Sequence, residues 1–395
     1  MEMPEKQTDN PLAFNRRQFL KNGVALGVLG VLAGCTPTQV RRSFTSAEQL
    51  YNGDVPSALT SQIPVTGIPQ IDSLVRKQIN KMVKELAKTW GDKKIASQKE
   101  YVKYTDKYKS RAIINFTTGH IRVETVVDKD EKTALKAAII STLLTPDDPS
   151  TVDLLSDKSV KTGKKPFLYG LVVDQDQQSV TTQWRANRYA DYLMAHAYQS
   201  DTYNGKPRHY VTFEMVKDHD ANQQKKYSTQ VSRQSKRFDI EPALVYAIIE
   251  TESAFNPYAM SHIPAYGLMQ IVPQTAGRDA YRLIHNKDVA PSKNYLFKPD
   301  NNIEMGTAYL HILDTKYLGS VKQEKSREYC VIAAYNTGSG NVLAAFDNDR
   351  GRAVEKINQL SSQQVYQHLV KNLKYEEARH YIQKVTRNKA KYLRA

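Results

Sequence analysis

The sequence predicts an α+β protein in which a mixed α/β domain, residues 66–217, is followed by an all-α domain, residues 218–395. The chain has 395 residues, more than one compact domain usually contains. Alternating and helical spacings of apolar residues are mixed in the first region, as expected where strands and helices share a domain. In the second region helical spacing dominates and is interrupted by prolines and glycines, which mark the ends of helices.

Residues 1–34 have the composition of an export signal. Arg16-Arg17 precede an apolar run, Val24 to Ala33, that is too short to span a bilayer. The arginine pair is similar to a twin-arginine signal, although Asn15 stands where such signals usually have serine, so the general secretory route remains an alternative. The run ends in Leu32-Ala33-Gly34-Cys35, which resembles a bacterial lipobox.

We expect Cys35 to carry the lipid as the first residue of the mature protein. Thr36, rather than an aspartate, follows it, which favours the periplasmic face of the outer membrane. Residues 35–65 are rich in Thr, Ser, Pro and Gln and are interpreted as a lipidated tether. Cys330 is then the only remaining thiol, so an intramolecular disulfide is excluded.

The formal charge of +15 favours anionic partners. Nucleic acid, anionic lipid and the acidic peptides of a bacterial wall all qualify. The basic residues are spread along the chain without a zinc-finger or RNA-binding signature, and the export signal argues against nucleic acid. The basic stretch from Lys384 to Arg394 predicts a solvated helix face. The nine histidines lack metal-ligand spacing, so neither a metal nor a cofactor is predicted.

The first domain contains no paired catalytic residues and is expected to support the second. Apolar spacing and turn residues predict its elements. These are helices over 71–90, 132–144 and 183–198, a β-hairpin over 112–127 that turns at 117–119, and strands over 167–173 and 209–216.

Glu252 is the strongest candidate for a catalytic residue. A helix predicted from Pro242 to Glu252 places this carboxyl over Ile248 and Ile249, because residues three and four apart share a helix face. Poor solvation of the charged form keeps the proton available near neutral pH. A glycosidic oxygen is a poor leaving group and needs such a donor. Glu250 lies about 200° around the helix and is aimed elsewhere.

Five short motifs follow one another from Glu252 onward. They are Glu252-Ser253-Ala254-Phe255-Asn256-Pro257, Gly267-Leu268-Met269-Gln270-Ile271 with Pro273-Gln274-Thr275-Ala276, Asn302-Ile303 with Gly306 and Tyr309-Leu310, Ala334-Tyr335-Asn336-Thr337-Gly338, and Glu377-Ala378-Arg379-His380-Tyr381. In this order they resemble the lytic transglycosylase family, whose catalytic domain has a goose-type-lysozyme-like fold. Segments 101–106, 147–150 and 167–170 are similar to a membrane-bound subgroup, so the resemblance covers nearly the whole mature chain.

The resemblance implies cleavage of the β-1,4 bond between N-acetylmuramic acid and N-acetylglucosamine in peptidoglycan. Glu252 would act as the single acid and base, and the products would carry 1,6-anhydromuramyl ends. The implied partners are peptidoglycan glycan strands, the outer membrane through the N-terminal lipid, and proteins of wall synthesis or degradation.

The motifs also imply residues that bind substrate. Gly267 would let the backbone approach a sugar closely, and the Gln270 amide both donates and accepts, as an N-acetyl group requires. Tyr335 and Tyr381 each offer a flat apolar face and a hydroxyl. The alternatives are a core wall for Tyr381, a core position for Met269 and a helix cap built by the Tyr335–Asn336 pair. The full set is Ser261, Gly267, Met269, Gln270, Tyr335, Asn336 and Tyr381.

Two other functions remain open. A hydrolytic muramidase on the same fold would need a second carboxylate to activate water. The candidates are Asp279, Asp300 and Glu304. A wall-binding lipoprotein without activity is the other alternative, and the intact Glu252 argues against it.

Overall fold

The α+β prediction is confirmed by a computed structural model, which describes residues 69–92, 94–163, 165–261 and 265–394. A sheet-containing region comes first and a helical region follows. The predicted signal peptide and tether, with Cys35, lie outside the described residues.

The first region is built on a five-stranded antiparallel sheet with the strand order β1-β2-β3-β5-β4. The predicted hairpin is confirmed as β2 and β3, with Ser110 opposite Thr125 and Ile114 opposite Ile121. Among the described residues, three α-helices and a 3-10 turn (Pro149–Thr151) accompany the sheet. The elements are α1 (Pro69–Trp90), β1 (Glu100–Thr105), β2 (Ser110–Asn115), β3 (His120–Thr125), α2 (Glu131–Leu143), α3 (Gln183–His196), β4 (Tyr198–Tyr203) and β5 (Lys206–Glu214).

Alternation along β1 gives the sheet two apolar faces. Tyr101 belongs to the main core, which includes α2 and α3, whereas Val102 and Tyr104 join a second cluster. That second cluster contains Leu86 and Trp90 of α1. Because neighbouring residues of a strand point to opposite faces, helices cover both sides of the sheet.

The strand predicted over 167–173 is wrong. The segment forms turns, with an isolated bridge between Val173 and Ser179 and a left-handed Gly170 at φ 73°. Phe167 and Leu171 are nonetheless buried, so the apolar run marks a covering loop. A short apolar run has no period that separates a strand from other buried structure. Strands β1 and β4 were not predicted, and the sequence of β4, Tyr198–Tyr203, is polar and mostly exposed.

The described part of the second region consists of helices, one-turn π-helices and a few isolated β-bridges. Helix α6 (Pro242–Ser253), which carries Glu252, packs against α5 (Ser228–Phe238) and most extensively against the C-terminal helix α14 (Glu376–Tyr392). The α-helices are α4 (His219–Lys226), α5 (Ser228–Phe238), α6 (Pro242–Ser253), α7 (Arg278–His285), α8 (Lys293–Leu296), α9 (Pro299–Ile312), α10 (Glu324–Thr337), α11 (Ser339–Ala344), α12 (Arg350–Gln359), α13 (Ser362–Asn372) and α14 (Glu376–Tyr392).

The prediction of a fully solvated basic face over 384–394 is wrong at one position. Lys389 of α14 is 5% exposed, and its ammonium group lies between the carboxylates of Glu241 and Glu328. Burial of a lysine requires such partners, so this residue anchors α14 to the start of α6 and to α10.

One side chain of the second region is inserted into the first. The ring of Tyr258 lies 5.1 Å, between centroids, from the rings of Tyr101 and Phe167. Its hydroxyl donates a hydrogen bond to the carbonyl oxygen of Pro146 at 2.5 Å. Buried residues of both regions form one continuous core, so the two regions share an apolar interface.

Across the described ranges, no helix combines the length and the apolar character needed to cross a membrane. The same residues contain no group of three or more His, Cys, Asp or Glu side chains that could hold a metal ion.

Candidate active site

Glu252 lies in the last turn of α6. The helix begins with Pro242 in its first turn, where a missing N–H costs nothing. It ends because Ala254 and Phe255 both adopt left-handed backbone angles, with φ of 48° and 62°. Such angles are costly for residues with a side chain and cluster at functional sites. This turn stops the helix just beyond Glu252, so the carboxyl is presented at a helix end.

The Glu252 carboxyl is poorly solvated. The residue is 9% exposed, and Ile248 and Ile249 beneath it are fully buried. Burial raises the pKa of Glu252 to about 7, against an ordinary value of 4.5. Near pH 7 the group is therefore about half protonated, the state in which one carboxyl can donate a proton and later accept one.

Tyr381 holds this carboxyl in place. Its hydroxyl donates a hydrogen bond to Oε1 of Glu252 at 2.7 Å, and this bond opposes the effect of burial on the Glu252 pKa. Tyr381 is 6% exposed, and burial together with the Glu252 charge raises its own pKa well above 10. The phenol therefore stays a neutral donor. Its side chain is a buried wall of the site, the alternative considered from the sequence.

Two further charges act on Glu252. Glu377 raises the pKa of Glu252 and Lys99 lowers it. Sequence reasoning missed both residues. Glu377 precedes Tyr381 by one helical turn, a spacing that places them on the same face of α14. Lys99 belongs to the first region and gives no local signal. Glu250 is directed away, as predicted, and pairs with Lys391 at 3.3 Å.

Gln270 has fewer free hydrogen-bonding groups than its sequence suggests. Its Nε2 donates to the carbonyl oxygens of Ala259 at 3.1 Å and Gly267 at 2.9 Å. Its Oε1 is buried and has no hydrogen-bond partner among the described residues. The expectation that the amide both donates and accepts is therefore corrected. Because both N–H groups are used internally, only the oxygen is left to accept a hydrogen bond from a ligand.

Gly267 is required for packing inside the protein. Its φ is 75°, and a Cβ atom would lie 2.5 Å from Nδ2 of Asn302 and 2.8 Å from the carbonyl oxygen of Leu296. The expectation that this glycine opens the backbone to a sugar is corrected, because Asn302 already occupies the space. The Asn302 side chain accepts from Met269 N at 2.7 Å and donates to the carbonyl oxygens of Tyr266 and Leu296.

The Met269 side chain is fully buried, which confirms the core position considered for it. It packs against Gly306, where a Cβ atom would overlap its sulfur. Its carbonyl oxygen accepts a hydrogen bond from the Tyr335 hydroxyl at 2.8 Å. The Tyr335 ring lies 5.7 Å from that of Tyr309. Tyr335 is thus fixed beside the Gln270 loop by its hydroxyl, and the residue as a whole is partly exposed.

The remaining predicted residues lie at the edges of this group. Ser261 is partly buried, and its N–H donates to the carbonyl oxygen of Ala265 at 3.4 Å across residues 262–264, which are not described. Asn336 is partly buried in the last turn of α10, before Gly338 at φ 85°. Ser253 has a structural role, since its hydroxyl lies within hydrogen-bonding distance of the carbonyl oxygens of Ile249 and Leu268.

The carboxylates considered for activating water have other partners or lie at the surface. Asp279 accepts a hydrogen bond from the Tyr317 hydroxyl at 2.8 Å. Glu304 is paired with Arg237, and Asp300 is exposed at the start of α9. None of the three is among the charges that shift the Glu252 pKa.

Comparison with known proteins identifies both regions. Residues 68–226 match the family described as the N-terminal domain of membrane-bound lytic murein transglycosylase C. Residues 230–358 match the transglycosylase SLT domain. Among solved structures, the 70 kDa soluble lytic transglycosylase SLT70 from Escherichia coli is 26% identical, with a TM-score of 0.32, over 42% of this chain and 24% of that one.

Whole-chain relatives carry the same name. The chain is 44% identical over 308 residues to the membrane-bound lytic murein transglycosylase C of Serratia proteamaculans (strain 568). It is 43% identical over 308 residues to the protein of that name in Yersinia pestis (strain Pestoides F). Each alignment covers 77% of this chain and 86% of the relative. The resemblance drawn from the five motifs is confirmed, and the chain belongs to the membrane-bound lytic murein transglycosylase C family.

Proposed function

We propose that this chain is a peptidoglycan lytic transglycosylase in which Glu252 is the single acid and base. The observation that carries the proposal is the buried Glu252 carboxyl, held by the Tyr381 hydroxyl at 2.7 Å, in surroundings that raise its pKa to about 7. A glycosidase of the two-carboxylate type would need a second acid in contact with the substrate. Within the described residues, Glu377 is the one other carboxylate whose charge acts on Glu252, and it is exposed.

The proton on Glu252 starts the reaction. It passes to the glycosidic oxygen as the bond to C1 of N-acetylmuramic acid breaks, and N-acetylglucosamine leaves with a hydroxyl group. The substrate's own N-acetyl oxygen stabilises the cationic C1. The Glu252 carboxylate then removes the proton from the C6 hydroxyl of the same muramyl residue, and that oxygen attacks C1. Glu252 returns to its starting state, water is not consumed, and the product carries a 1,6-anhydromuramyl end.

The surrounding residues divide into positioning and binding groups. Tyr381 keeps the Glu252 carboxyl in one orientation through its hydrogen bond. The unpaired Gln270 oxygen is buried and would accept from the substrate after a local opening of its loop, and the partly exposed Tyr335 would offer its ring to a sugar face. Asn336 and Ser261 would bind at the edges of the cleft. Gly267 and Met269 would act indirectly, by shaping the loop that carries Gln270.

The test is mass spectrometry of the fragments released from purified sacculi by the wild-type protein and by Glu252→Gln. Muropeptides one water lighter than hydrolytic products are expected from the wild type alone. Glu252→Gln keeps the size of the side chain and removes its acid, so it should fold and bind glycan without cleaving it. Anhydro products from this variant would contradict the single-acid mechanism, and hydrated ends from the wild type would establish a muramidase.

We also propose that Cys35 is lipidated and anchors the enzyme at the periplasmic face of the outer membrane. The lipobox-like Leu32-Ala33-Gly34-Cys35 supports this proposal, and the relatives are named membrane-bound. The wild type should fractionate with outer membranes and carry a lipid-modified N-terminal peptide in mass spectra. Cys35→Ser should lose both properties, and membrane-bound Cys35→Ser would refute lipidation as the anchor.

A further inference from the structure

The first region places a cation beside the candidate active site. Lys99 immediately precedes β1, whose Glu100 begins the strand. Two hydrogen bonds hold the preceding residues against the loop after α6. Asn256 Nδ2 donates to the carbonyl oxygen of Gln98 at 3.2 Å, and Met260 N donates to that of Ser97 at 3.4 Å. Lys99 is therefore tied to the segment that follows Glu252.

A second lysine approaches from α14. Tyr381 contacts Glu252 and Asn388 contacts Thr251, so one face of α14 runs along the last turn of α6. Lys384 lies three residues after Tyr381 and four before Asn388, which places it on that face, between the two contacts. Its side chain is exposed. Lys384 thus lies on the α14 face that runs past the last turn of α6, beside Glu252.

The charge of Lys384 acts on Lys99. Burial is the main cause that lowers the pKa of Lys99, the charge of Lys384 lowers it further, and Glu250 and Glu252 raise it. Neither lysine forms an ion pair with a carboxylate of the described residues. The nearby carboxylate of Glu250 is already engaged by Lys391. Two neighbouring cations at the edge of a cleft, neither within ion-pair distance of a described carboxylate, form a site for an anion.

We propose that Lys99 and Lys384, one from each region, bind a carboxylate of the peptide that the glycan strand carries. This inference rests on the proposed function and deepens it, because it predicts that the enzyme prefers glycan strands that carry charged peptides. Along a peptidoglycan strand, the sugars themselves are neutral once the lactyl group is joined to its peptide. The anionic groups near the scissile bond are then those of the peptide. The site exists only when the two regions are packed together.

The experiment compares two substrates that differ only at the peptide carboxylates. One is peptide-bearing peptidoglycan, and the other is the same material with its peptide carboxylates converted to neutral amides. The rates kcat/KM are measured for the wild type, Lys99→Met, Lys384→Met and the double variant. Lys107→Met is the matched control, since it removes one exposed charge at the opposite end of β1, about 20 Å away. Thermal unfolding checks that each variant is folded, and Lys99→Arg should retain activity.

Wild type and Lys107→Met should cleave the native substrate about tenfold faster than the amidated one, chiefly through KM, because a charge-assisted contact is lost. The double variant should cleave both substrates at the same reduced rate. Removal of Lys99 also shifts the Glu252 pKa, but this shift affects both substrates equally and cancels in their ratio.

A wild type that does not distinguish the two substrates would overturn the anion site, as would a double variant that keeps the full preference. Failure of the proposed function has a different signature, because the wild type would then release no anhydromuramyl ends from either substrate.

Discussion

The Tyr381 hydroxyl and Oε1 of Glu252 are joined by a 2.7 Å hydrogen bond that links α14 to α6. Burial favours the protonated carboxyl, and this bond favours the ionised one. The result is a pKa of about 7, which suits a group that donates a proton in one step and takes one in the next. The contact therefore supplies both orientation and the acidity of the proposed catalyst.

Tyr381→Phe should shift the pH dependence of the reaction upward. Loss of the hydrogen bond raises the Glu252 pKa above about 7, so the alkaline limb of kcat, which follows loss of the proton, moves to higher pH. The maximal rate should fall at least about tenfold, because the carboxyl is no longer oriented. The measurement is a pH–rate profile from pH 5 to about pH 9.

Tyr335→Phe is the control for this experiment. Its hydroxyl donates to the Met269 carbonyl oxygen rather than to Glu252, so the alkaline limb should stay in place. Equal shifts in both variants would show that the Tyr381 bond does not set the acidity of Glu252.

Glu377→Gln should shift the same limb in the opposite direction. The negative charge of Glu377 raises the Glu252 pKa, so its removal lowers that pKa and the rate begins to fall at lower pH. The products should still carry anhydromuramyl ends, because Glu377 is not proposed to activate water. Glu376→Gln removes a neighbouring exposed carboxylate that does not act on Glu252 and should leave the profile unchanged. If Glu377→Gln released hydrated products, or released no products at all, Glu377 would instead have a direct part in the chemistry.

Gly267→Ala should destabilise the protein by about 2–4 kcal/mol, because it combines a left-handed backbone with overlap against Asn302 and the Leu296 carbonyl oxygen. Gly205→Ala is a matched control. Gly205 has the same φ of 75° with open space at its Cβ position, so only the backbone cost of about 1 kcal/mol applies. Urea unfolding gives both free energies. Equal losses would mean that the Asn302 contact relaxes without cost.

Local patterns in the sequence predicted the parts of the fold that local physics determines. The hairpin of β2 and β3 alternates apolar residues around a Thr-Thr-Gly turn, and α6 has Pro242 at its start and a continuous apolar interior. The run over 167–173 was misassigned because buried loops and buried strands look alike at that length. Strand β4 was missed because an exposed edge strand needs no apolar face.

In the candidate site, too, local sequence patterns identified some residues and missed those that tertiary packing brings together. Glu252 was found because its neighbours in the sequence are also its neighbours in the fold. Glu377 and Lys99 come close to Glu252 through tertiary packing. No local sequence pattern indicates that Lys99 lies there. The interpretation of Gly267 failed for a related reason. The sequence indicates that a side chain is excluded there, but only the structure identifies Asn302 as the group that excludes it.

The Tyr258 side chain, inserted between Tyr101 and Phe167, has a consequence for modularity. The catalytic region carries part of the accessory region's core just after its own proposed acid. Cut free, it would leave that ring in water and its hydroxyl without the Pro146 acceptor. The two regions should therefore unfold in a single cooperative transition and be inherited together. A transplanted catalytic half would be expected to lose solubility before it loses any group that touches the glycan.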